Sequence, residues 1–533
     1  MSRHHAALKL FFVSNPREMS AVTKKIDELA GVSDLDSKKR FLDRTAFICL
    51  VLAAVAAPHS IAATQGAGII GLLLWVLRLL FVSRDDLRIG SETKLLSLLF
   101  IWSVITATFS YAPDISVHKL RSVSLFLIFL FVTNMLRSVR AASFLVLVLI
   151  SSSMVAVIWS PLDRLIGRGV EVHGLNPNSP LLAAIPALGE QPISEGRTVI
   201  EVEGVKVASS QALVDEIEKR EESRLKIYHT DYYSTVTVQR KRLLDGDTPE
   251  ERLGIASSNR SHSWRSAGFY GHYVTFAEVI QMLGAVSFGI LISLLMSAIS
   301  KSNINPRKHW KLLAVAVVVV AGFVLALLLT STRASQAGFV VGCASAALLS
   351  RNKRIIIAGI LVLLPAILLS GFIIRDSRKV GFLDSSDNST TWRMTVYREG
   401  LELWTASPRN FLLGVGMDSI QRYSDEWGLF DHGRLPKGHF HSTPLQLAVE
   451  RGIPALLIWI GFLLVLSRRM FRKCLNLSNE STLTRGLILG LTASLLGFIT
   501  SGFVHYNLGD SEVATVFYML MGAGVVLTRD DSK

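Results

Sequence analysis

Residues 279–300, VIQMLGAVSFGILISLLMSAIS, decide the fold class, because this whole stretch carries no charged side chain. A helix needs about 20 mostly apolar residues to span a bilayer. The chain is therefore predicted to cross a membrane, and more than once. Four other stretches are similarly long and uncharged: Ala141–Trp159, Leu312–Thr330, Ile355–Ile374 and Gly486–Val504.

Further apolar segments are shorter or contain a polar interruption. Together with the first five they predict an all-α polytopic membrane protein with about twelve transmembrane helices. Ala334–Ser350 is rich in small residues, so a re-entrant segment is the alternative there. The shorter segments are Thr45–Ala63, Gly66–Val82, Leu95–Ser110, Ser122–Leu136, Ala334–Ser350, Ile453–Ser467 and Val513–Leu527.

The composition agrees with this class. Of the 533 residues, 50% are hydrophobic and 18% are charged, whereas a soluble domain has about 25% charged residues. A disordered or fibrous chain is excluded and a soluble enzyme is disfavoured. The net charge of +14 indicates either nucleic acid binding or basic cytoplasmic loops, and the distribution of the charges decides between them.

The basic residues lie on alternate connections between the predicted spans, as expected of a membrane protein. With the N-terminal segment 1–42 in the cytoplasm, every inner connection of the twelve-helix topology carries Lys or Arg. Both ends are then inside, and no nucleic acid partner is needed to explain the charge. These residues are Arg84, Arg88, Arg137, Arg140, Lys301, Arg307, Lys308, Arg351, Lys353, Arg354, Arg468, Arg469, Arg472, Lys473, Arg529 and Lys533.

The same topology divides the chain into membrane regions and polar regions. We expect a multi-pass protein of a bacterial inner membrane with two large periplasmic segments. The predicted regions are helices 1–5 at 43–159, a periplasmic insert at 160–271, helices 6–9 at 272–374, a periplasmic loop at 375–438, helices 10–12 at 439–528 and a cytoplasmic tail at 529–533.

The insert is predicted to contain a small α+β domain at about 169–241. Short strands at 169–174, 197–203, 225–229 and 234–239 surround a helix over Ser209–Arg220. The pattern resembles a PDZ domain, although a recognisable carboxylate-binding loop is missing. Two interpretations stay open: a structural spacer, or a domain that binds a protein partner by strand addition.

Two arginines stand at the outer ends of predicted spans, against the positive-inside trend. Arg265 precedes the sixth span and Arg333 lies in a short turn before the eighth. A lone arginine at a span boundary is often a lipid anchor. Small residues follow both, however, so a ligand can approach closely, and the guanidinium fork suits a pyrophosphate.

A His-x-His pair, His439 and His441, follows the second outer segment. Such a pair suggests a metal, but no third ligand cluster is nearby, and a neutral histidine is also a general base near neutral pH. The simplest alternative is an interfacial histidine with a satisfied hydrogen bond. Arg393 lies on a predicted amphipathic helix with Tyr397 and is a secondary candidate, as is His439. No metal ligand set, P-loop or dinucleotide motif is found.

Four passages resemble the O-antigen ligase and polymerase superfamily of bacterial membrane glycosyltransferases, in the order and on the membrane side that the family has. The resemblance spans about 42–527, apart from the PDZ-like insert. The passages are RSAGFYGHYVTFAEVI (265–280), STRASQAGF (331–339), TWRMTVYREGLELWTASPRNFLLGVGMDSI (391–420) and HFHSTPLQLAVERGIPALLIWI (439–460).

The resemblance implies residue roles. Arg265 and Arg333 match the arginines that hold the lipid-linked pyrophosphate, and His441 matches the histidine of a His-Asn-x-x-Leu pattern. Here Ser442 replaces the asparagine while Leu445 is kept. His439 matches a less constant position.

The implied reaction is transfer of a glycan from undecaprenyl pyrophosphate to an acceptor hydroxyl, with inversion and without cofactor or metal. A ligase uses lipid A–core as acceptor and a polymerase uses another lipid-linked glycan, and the sequence does not separate them. Two other functions remain open: a transporter of lipid-linked glycan, and a non-catalytic scaffold for polysaccharide assembly. The expected partners are the glycan substrates, membrane lipids and a protein bound by the insert.

Overall fold

The computed structural model describes residues 16–82, 84, 87–187, 190–229, 232–300, 306–378 and 388–529. Parts of the predicted N-terminal segment, of the large outer loop and of the C-terminal tail lie outside these ranges, as does Lys301. The first half begins with seven helices: α1 Pro16–Ala30, α2 Ser37–Ala56, α3 Ile61–Phe81, α4 Ser91–Thr108, α5 Pro113–Val123, α6 Phe126–Met135 and α7 Val139–Ile166.

The β-rich insert follows α7. Its elements are β1 Arg168–His173, β2 Ile185–Pro186, β3 Thr198–Val202, β4 Val205–Lys206, α8 Ser210–Glu218, β5 Glu222–His229, β6 Tyr232–Gln239, α9 Pro249–Leu253 and β7 Ser257–Ser261.

Helices form the rest of the described chain. They are α10 Tyr273–Ile299, α11 Pro306–Leu329, α12 Arg333–Leu349, α13 Lys353–Arg378, α14 Asn388–Thr405, α15 Pro408–Leu413, α16 Ser419–Tyr423, α17 Leu429–His432, α18 Thr443–Cys474, α19 Thr482–Gly502 and α20 Ser511–Leu527.

The polytopic helical class is confirmed, whereas the count of twelve spans stays a prediction. Ten of the twelve predicted segments lie within a single helix, apart from one or two residues at their ends, whereas Thr45–Ala63 includes the turn between α2 and α3 and Ser122–Leu136 includes the junction of α5 and α6. Among the described residues, seven helical segments are long and apolar enough to cross a membrane: Ile61–Phe81, Pro113–Met135, Val139–Ile166, Tyr273–Ile299, Pro306–Leu329, Thr443–Cys474 and Thr482–Gly502.

Glycines bring three helices into close contact at the centre of the bundle. A Cβ placed on Gly289 of α10 would lie 2.2 Å from the backbone nitrogen of Gly490 in α19, and one on Gly342 of α12 would lie 2.5 Å from the carbonyl oxygen of Ala493. Small residues allow membrane helices to approach this closely. This packing fixes the relative positions of α10, α12 and α19, whose ends carry the residues discussed below.

The predicted inner connections contact one another at one end of the bundle. Asp43 accepts hydrogen bonds from Arg78 and Arg137, and Arg529 donates to the carbonyl oxygen of Thr133 at 2.6 Å. Arg469 pairs with Glu92. The insert, Arg265 and Arg333 belong to the connections at the other end, which we call the insert end.

The insert forms a seven-stranded antiparallel sheet in the order β2-β6-β5-β3-β1-β7, with β4 paired to β3. The predicted strands and helix are present, and Ser209 caps α8 as predicted. The sheet continues past the predicted boundary at 241, however, because β7 pairs with β1. Leu253 and Ile255, which precede β7, belong to the apolar core of the insert. The likeness to a PDZ domain stays a prediction.

Candidate active site

A cavity of about 1290 Å³ opens at the insert end of the bundle. Small-molecule pockets usually measure roughly 300–1,000 Å³, so this one has room for an extended ligand. All the site residues predicted from the sequence line it, although they come from separate parts of the chain. They are Arg265, Arg333, Arg393, His439 and His441.

Arg265 is held in place by the turn that precedes α12. Its Nε donates to the carbonyl oxygen of Thr330 at 2.8 Å, and its Nη2 donates to the carbonyl oxygen of Ser331 and to Oγ1 of Thr332, both at 3.0 Å. Its guanidinium carbon lies 3.5 Å from the centre of the Tyr273 ring, a cation–π contact. The side chain is therefore oriented before any ligand binds.

Arg333 is the first residue of α12 and directly follows the turn that holds Arg265. Its side chain is half-buried and lines the cavity. The N-terminus of a helix carries a partial positive charge that adds to a cationic side chain in attracting an anion. One short turn thus links two of the predicted arginines, which are well separated in the sequence.

His439 and His441 lie side by side in the loop before α18, with their ring centroids 4.1 Å apart. The backbone N–H of His441 donates to Nδ1 of His439 at 3.1 Å, and the hydroxyl of Tyr397 donates to the carbonyl oxygen of His441 at 2.9 Å. His441 has a φ of 47°, in the left-handed region. Such a conformation costs energy and persists where surrounding contacts fix it.

Both imidazoles are neutral at ordinary pH. Burial lowers the pKa of His439 to about 4, and His505 adds to the effect. Burial lowers the pKa of His441 to about 2, with further contributions from His439 and Arg393. Each ring therefore has a nitrogen lone pair available to accept a proton.

Arg393 joins the cavity from α14, one turn before Tyr397. Its charge is among those that lower the pKa of His441, so it acts on that ring. The neighbouring Trp392 meets His441 edge to face, with ring centroids 4.4 Å apart. The amphipathic face predicted for this helix thus turns Arg393 and Tyr397 towards the histidines.

Among the cavity residues that the sequence analysis missed, two form a buried pair. Glu278 of α10 is 1% exposed, and His505, in the turn after α19, is 5% exposed. Nδ1 of His505 lies 2.9 Å from Oε1 of Glu278. A carboxylate inside an apolar helix is costly and usually functional, which is the signal that could have found Glu278.

The carboxylate of Glu278 is hydrogen-bonded on both oxygens. Oε1 accepts from the hydroxyl of Ser335 at 2.8 Å, and Oε2 accepts from Nε2 of Gln281 at 3.0 Å and from the hydroxyl of Ser501 at 2.7 Å. These donors belong to α12, α10 and α19. The three closely packed helices thus converge on a single buried charge.

Other polar groups complete the wall of the cavity. Burial lowers the pKa of His272, and the charge of Arg265 adds to that shift. Burial raises the pKa of Asp510, which caps α20 and accepts from the hydroxyl of Thr275. Lys119 pairs with Asp418 at 2.6 Å on another part of the wall. The cavity therefore combines a cationic region with acidic and neutral polar groups.

Over the described ranges, no group of three or more His, Cys, Asp or Glu side chains could hold a metal ion. The arrangement suits a different chemistry. Arginine forks can bind phosphate oxygens, and the neutral imidazoles can accept a proton from a hydroxyl group.

Residues 319–460 match the protein family described as O-antigen ligase. The matched segment contains Arg333, Arg393, His439 and His441, whereas Arg265 precedes it. A comparison with curated proteins finds no match for the chain. Residues 319–460 are therefore similar to the O-antigen ligase family, which confirms the resemblance of the chain to the O-antigen ligase and polymerase superfamily.

Proposed function

We propose that the protein is a glycosyltransferase of the bacterial inner membrane that transfers a glycan from undecaprenyl pyrophosphate to an acceptor hydroxyl on the periplasmic side. The observation that carries the proposal is the cavity at the insert end, where arginines and neutral histidines from distant segments face one space. The family of residues 319–460 supports an enzyme of the ligase or polymerase type.

Arg265 and Arg333 bind the pyrophosphate of the donor. Because Arg265 is already anchored by three hydrogen bonds and a tyrosine ring, little reorganisation accompanies binding. Both guanidinium groups then stabilise the negative charge that grows on the leaving pyrophosphate. Arg393 is a secondary cation that extends the same site towards the histidines.

His441 accepts the proton of the acceptor hydroxyl. The bond between the acceptor oxygen and the anomeric carbon forms as the bond from that carbon to the pyrophosphate oxygen breaks, so the configuration inverts. Burial keeps the ring of His441 neutral, so a lone pair is available, but it also makes the ring a weaker base, so the proton must be passed on. His439 supports the loop by accepting from the backbone N–H of His441.

The acceptor is either lipid A–core, for a ligase, or the sugar end of another lipid-linked glycan, for a polymerase. Aromatic side chains on the wall, including Trp392, Tyr397 and Tyr506, offer flat apolar surfaces for sugar rings. The reaction uses no cofactor and no metal, because the arginines supply the positive charge. The insert, as a PDZ-like domain, binds a protein partner by strand addition to its sheet.

The glycan phenotype of a deletion strain tests the proposal. Loss of long chains from lipopolysaccharide, with polymer accumulating on the lipid carrier, would identify a ligase. Single repeats on the carrier or on core would identify a polymerase. A deletion strain with normal surface glycan would contradict both, and a plasmid encoding the His441→Ala variant must fail to restore the wild-type pattern.

A further inference from the structure

The buried Glu278–His505 pair of the cavity has no role in the reaction described so far. Glu278 and His505 both line the cavity, and both are at most 5% exposed. A buried charge without a function is costly in a membrane bundle. The reaction described above also gives no destination for the proton that His441 accepts.

The surroundings of His441 do not favour a lasting positive charge on its ring. The groups that act on its charge are His439, Arg393, His505 and His272, and each of them lowers its pKa. A protonated His441 would thus face only cationic or neutral neighbours among these groups. Such a ring can accept a proton as the hydroxyl attacks, but the proton is expected to move on quickly.

His505 is the histidine of the cavity that has a carboxylate at its ring. With Oε1 of Glu278 at 2.9 Å from Nδ1, the ring is oriented with Nδ1–H towards the carboxyl group, which leaves Nε2 as the nitrogen that can accept a proton. The carboxylate is itself fixed by Ser335, Gln281 and Ser501. The pair is thus preorganised, as a proton acceptor needs to be.

The two histidines are brought close by the start of α18. The backbone N–H of Thr443, two residues after His441, donates to the carbonyl oxygen of His505 at 3.1 Å, and its hydroxyl donates to the same oxygen at 3.0 Å. His505 also contributes to the lowered pKa of both His439 and His441. Both rings line the same cavity, so a proton can pass between them without leaving it.

We propose that the Glu278–His505 pair receives the proton released by the acceptor hydroxyl, with His441 passing it on. This inference rests on the glycosyl transfer proposed above. The proton moves from the hydroxyl to His441 as the new glycosidic bond forms, then to His505, and finally to water, with no change in oxidation state. Glu278 is the positioning residue of this step, because it acts through His505.

The groups that face His505 must be considered in any pH dependence. They are Glu278 of α10, His272 at the start of the same helix, His439 and His441 before α18, and Asp510 in the turn of His505 itself. Glu278→Gln removes one negative charge and keeps the shape of the side chain. Because a neutral amide stabilises the protonated ring less well, the acidic limb of the kcat profile should move to lower pH.

The test uses the purified full-length protein in lipid vesicles with an undecaprenyl-pyrophosphate-linked glycan and its acceptor. Glu278→Gln should lower kcat by about 10²-fold, the lower end of general acid–base contributions, with KM nearly unchanged. His505→Ala should lose a similar factor and recover in part when imidazole is added. If Glu278→Gln does not fold, His505→Gln provides a second test: its amide can still donate to Glu278 but cannot accept a proton, so kcat should fall by a similar factor.

Glu92→Gln is the matched control, since Glu92 is also 1% exposed and pairs with an arginine, but at the other end of the bundle. It should lower thermal stability and leave the pH profile unchanged. An unshifted pH profile in Glu278→Gln, with no imidazole rescue of His505→Ala, would overturn the proton relay alone. Full transfer by both Arg333→Ala and His441→Ala would instead overturn the proposed function.

Discussion

The cavity at the insert end is lined by many polar side chains, whereas the β-sheet insert beside it is organised around apolar ones. The cavity collects charged and polar side chains from α10, α12, α14 and α18 and from the turn after α19. The insert buries an aliphatic core of its own, separate from the core of the bundle. The cavity thus depends on the packing of several helices, whereas the insert has a core of its own.

The two regions nevertheless touch beside one of the predicted arginines. The hydroxyl of Tyr228, in β5 of the insert, accepts a hydrogen bond of 3.0 Å from the backbone N–H of Arg265. Arg164, near the end of α7, donates to the carbonyl oxygen of His262 at 2.7 Å. The insert can therefore influence the position of Arg265 without supplying a reacting group.

His441→Ala should have the largest effect on turnover. General-base assistance contributes about 10²–10⁴-fold, so kcat should fall by that factor while the lipid donor still binds. His439→Ala should be milder, because that residue supports the loop. Transfer assays paired with donor-binding measurements on the same protein would check this.

The same assay distinguishes a base from a metal ligand. Activity of the wild type should survive a chelator and should not need added divalent cations. Loss of activity with chelator and its return with metal would assign His439 and His441 to a ligand site instead. Normal turnover by His441→Ala would leave the interfacial histidine as the better interpretation.

Arg265→Ala and Arg333→Ala should each lower kcat by about 10²–10³-fold, the usual cost of removing one group that stabilises developing charge. Lysine replacements should recover part of the loss, because a point charge lacks the bidentate fork. The measurement is the rate of pyrophosphate-carrier release from the lipid-linked donor.

Arg409→Ala is the matched control for these variants. Like Arg265, Arg409 stacks on a tyrosine ring, with its guanidinium carbon 3.9 Å from the centre of Tyr111. It does not belong to the residues that line the cavity. Equal losses in Arg409→Ala and Arg333→Ala would show that the effect is structural and would undermine the pyrophosphate site.

The insert should fold on its own only when its last strand is included. A fragment of residues 168–261 should be soluble and unfold cooperatively. A fragment of residues 169–241 lacks β7 and also Leu253 and Ile255, whose burial is worth about 1.5–3 kcal/mol each. Since small domains are stable by only about 5–15 kcal/mol, the shorter fragment should be marginal or unfolded.

Circular dichroism and chemical denaturation of the two fragments would measure this difference. Equal stability would mean that β7 and the segment before it contribute little to the domain. A disordered long fragment would contradict the view of the insert as an independent module.

Tyr228→Phe should have the smallest effect. It removes one hydrogen bond to the backbone of Arg265, and such a bond contributes about 0.5–1.5 kcal/mol. The transfer rate should therefore fall by less than about tenfold. A loss as large as that of Arg265→Ala would show that the insert controls the site, and the contrast between the two regions would fail.

The sequence predicted the helices and the cavity residues better than it predicted the polar network. Long apolar segments predicted ten of the twelve helices as single elements, and Arg265 and Arg333, predicted at span ends, line one cavity. Glu278 was missed because the predicted span was taken to begin one residue later, at Val279. The pairing of Glu278 with His505 depends on tertiary packing that no local pattern encodes.

In the insert, too, one element was not predicted because it depends on tertiary contacts. Strands with alternating apolar residues, such as STVTVQ at 234–239, were recognised. β7 has the sequence SSNRS, which contains no apolar residue, and it forms a strand because β1 offers it a partner. Pairing decided by a neighbouring strand cannot be predicted from local periodicity.

The central claim is that the cavity transfers a glycan from a lipid-linked pyrophosphate. The most direct measurement incubates the purified protein, in vesicles, with an undecaprenyl-pyrophosphate-linked glycan and an acceptor, and follows both the product and the released carrier. The account predicts an inverted glycoside and one undecaprenyl pyrophosphate per transfer for the wild type, and neither for His441→Ala or Arg333→Ala. Movement of the intact donor across the bilayer without release of the carrier, unaffected by these variants, would contradict it.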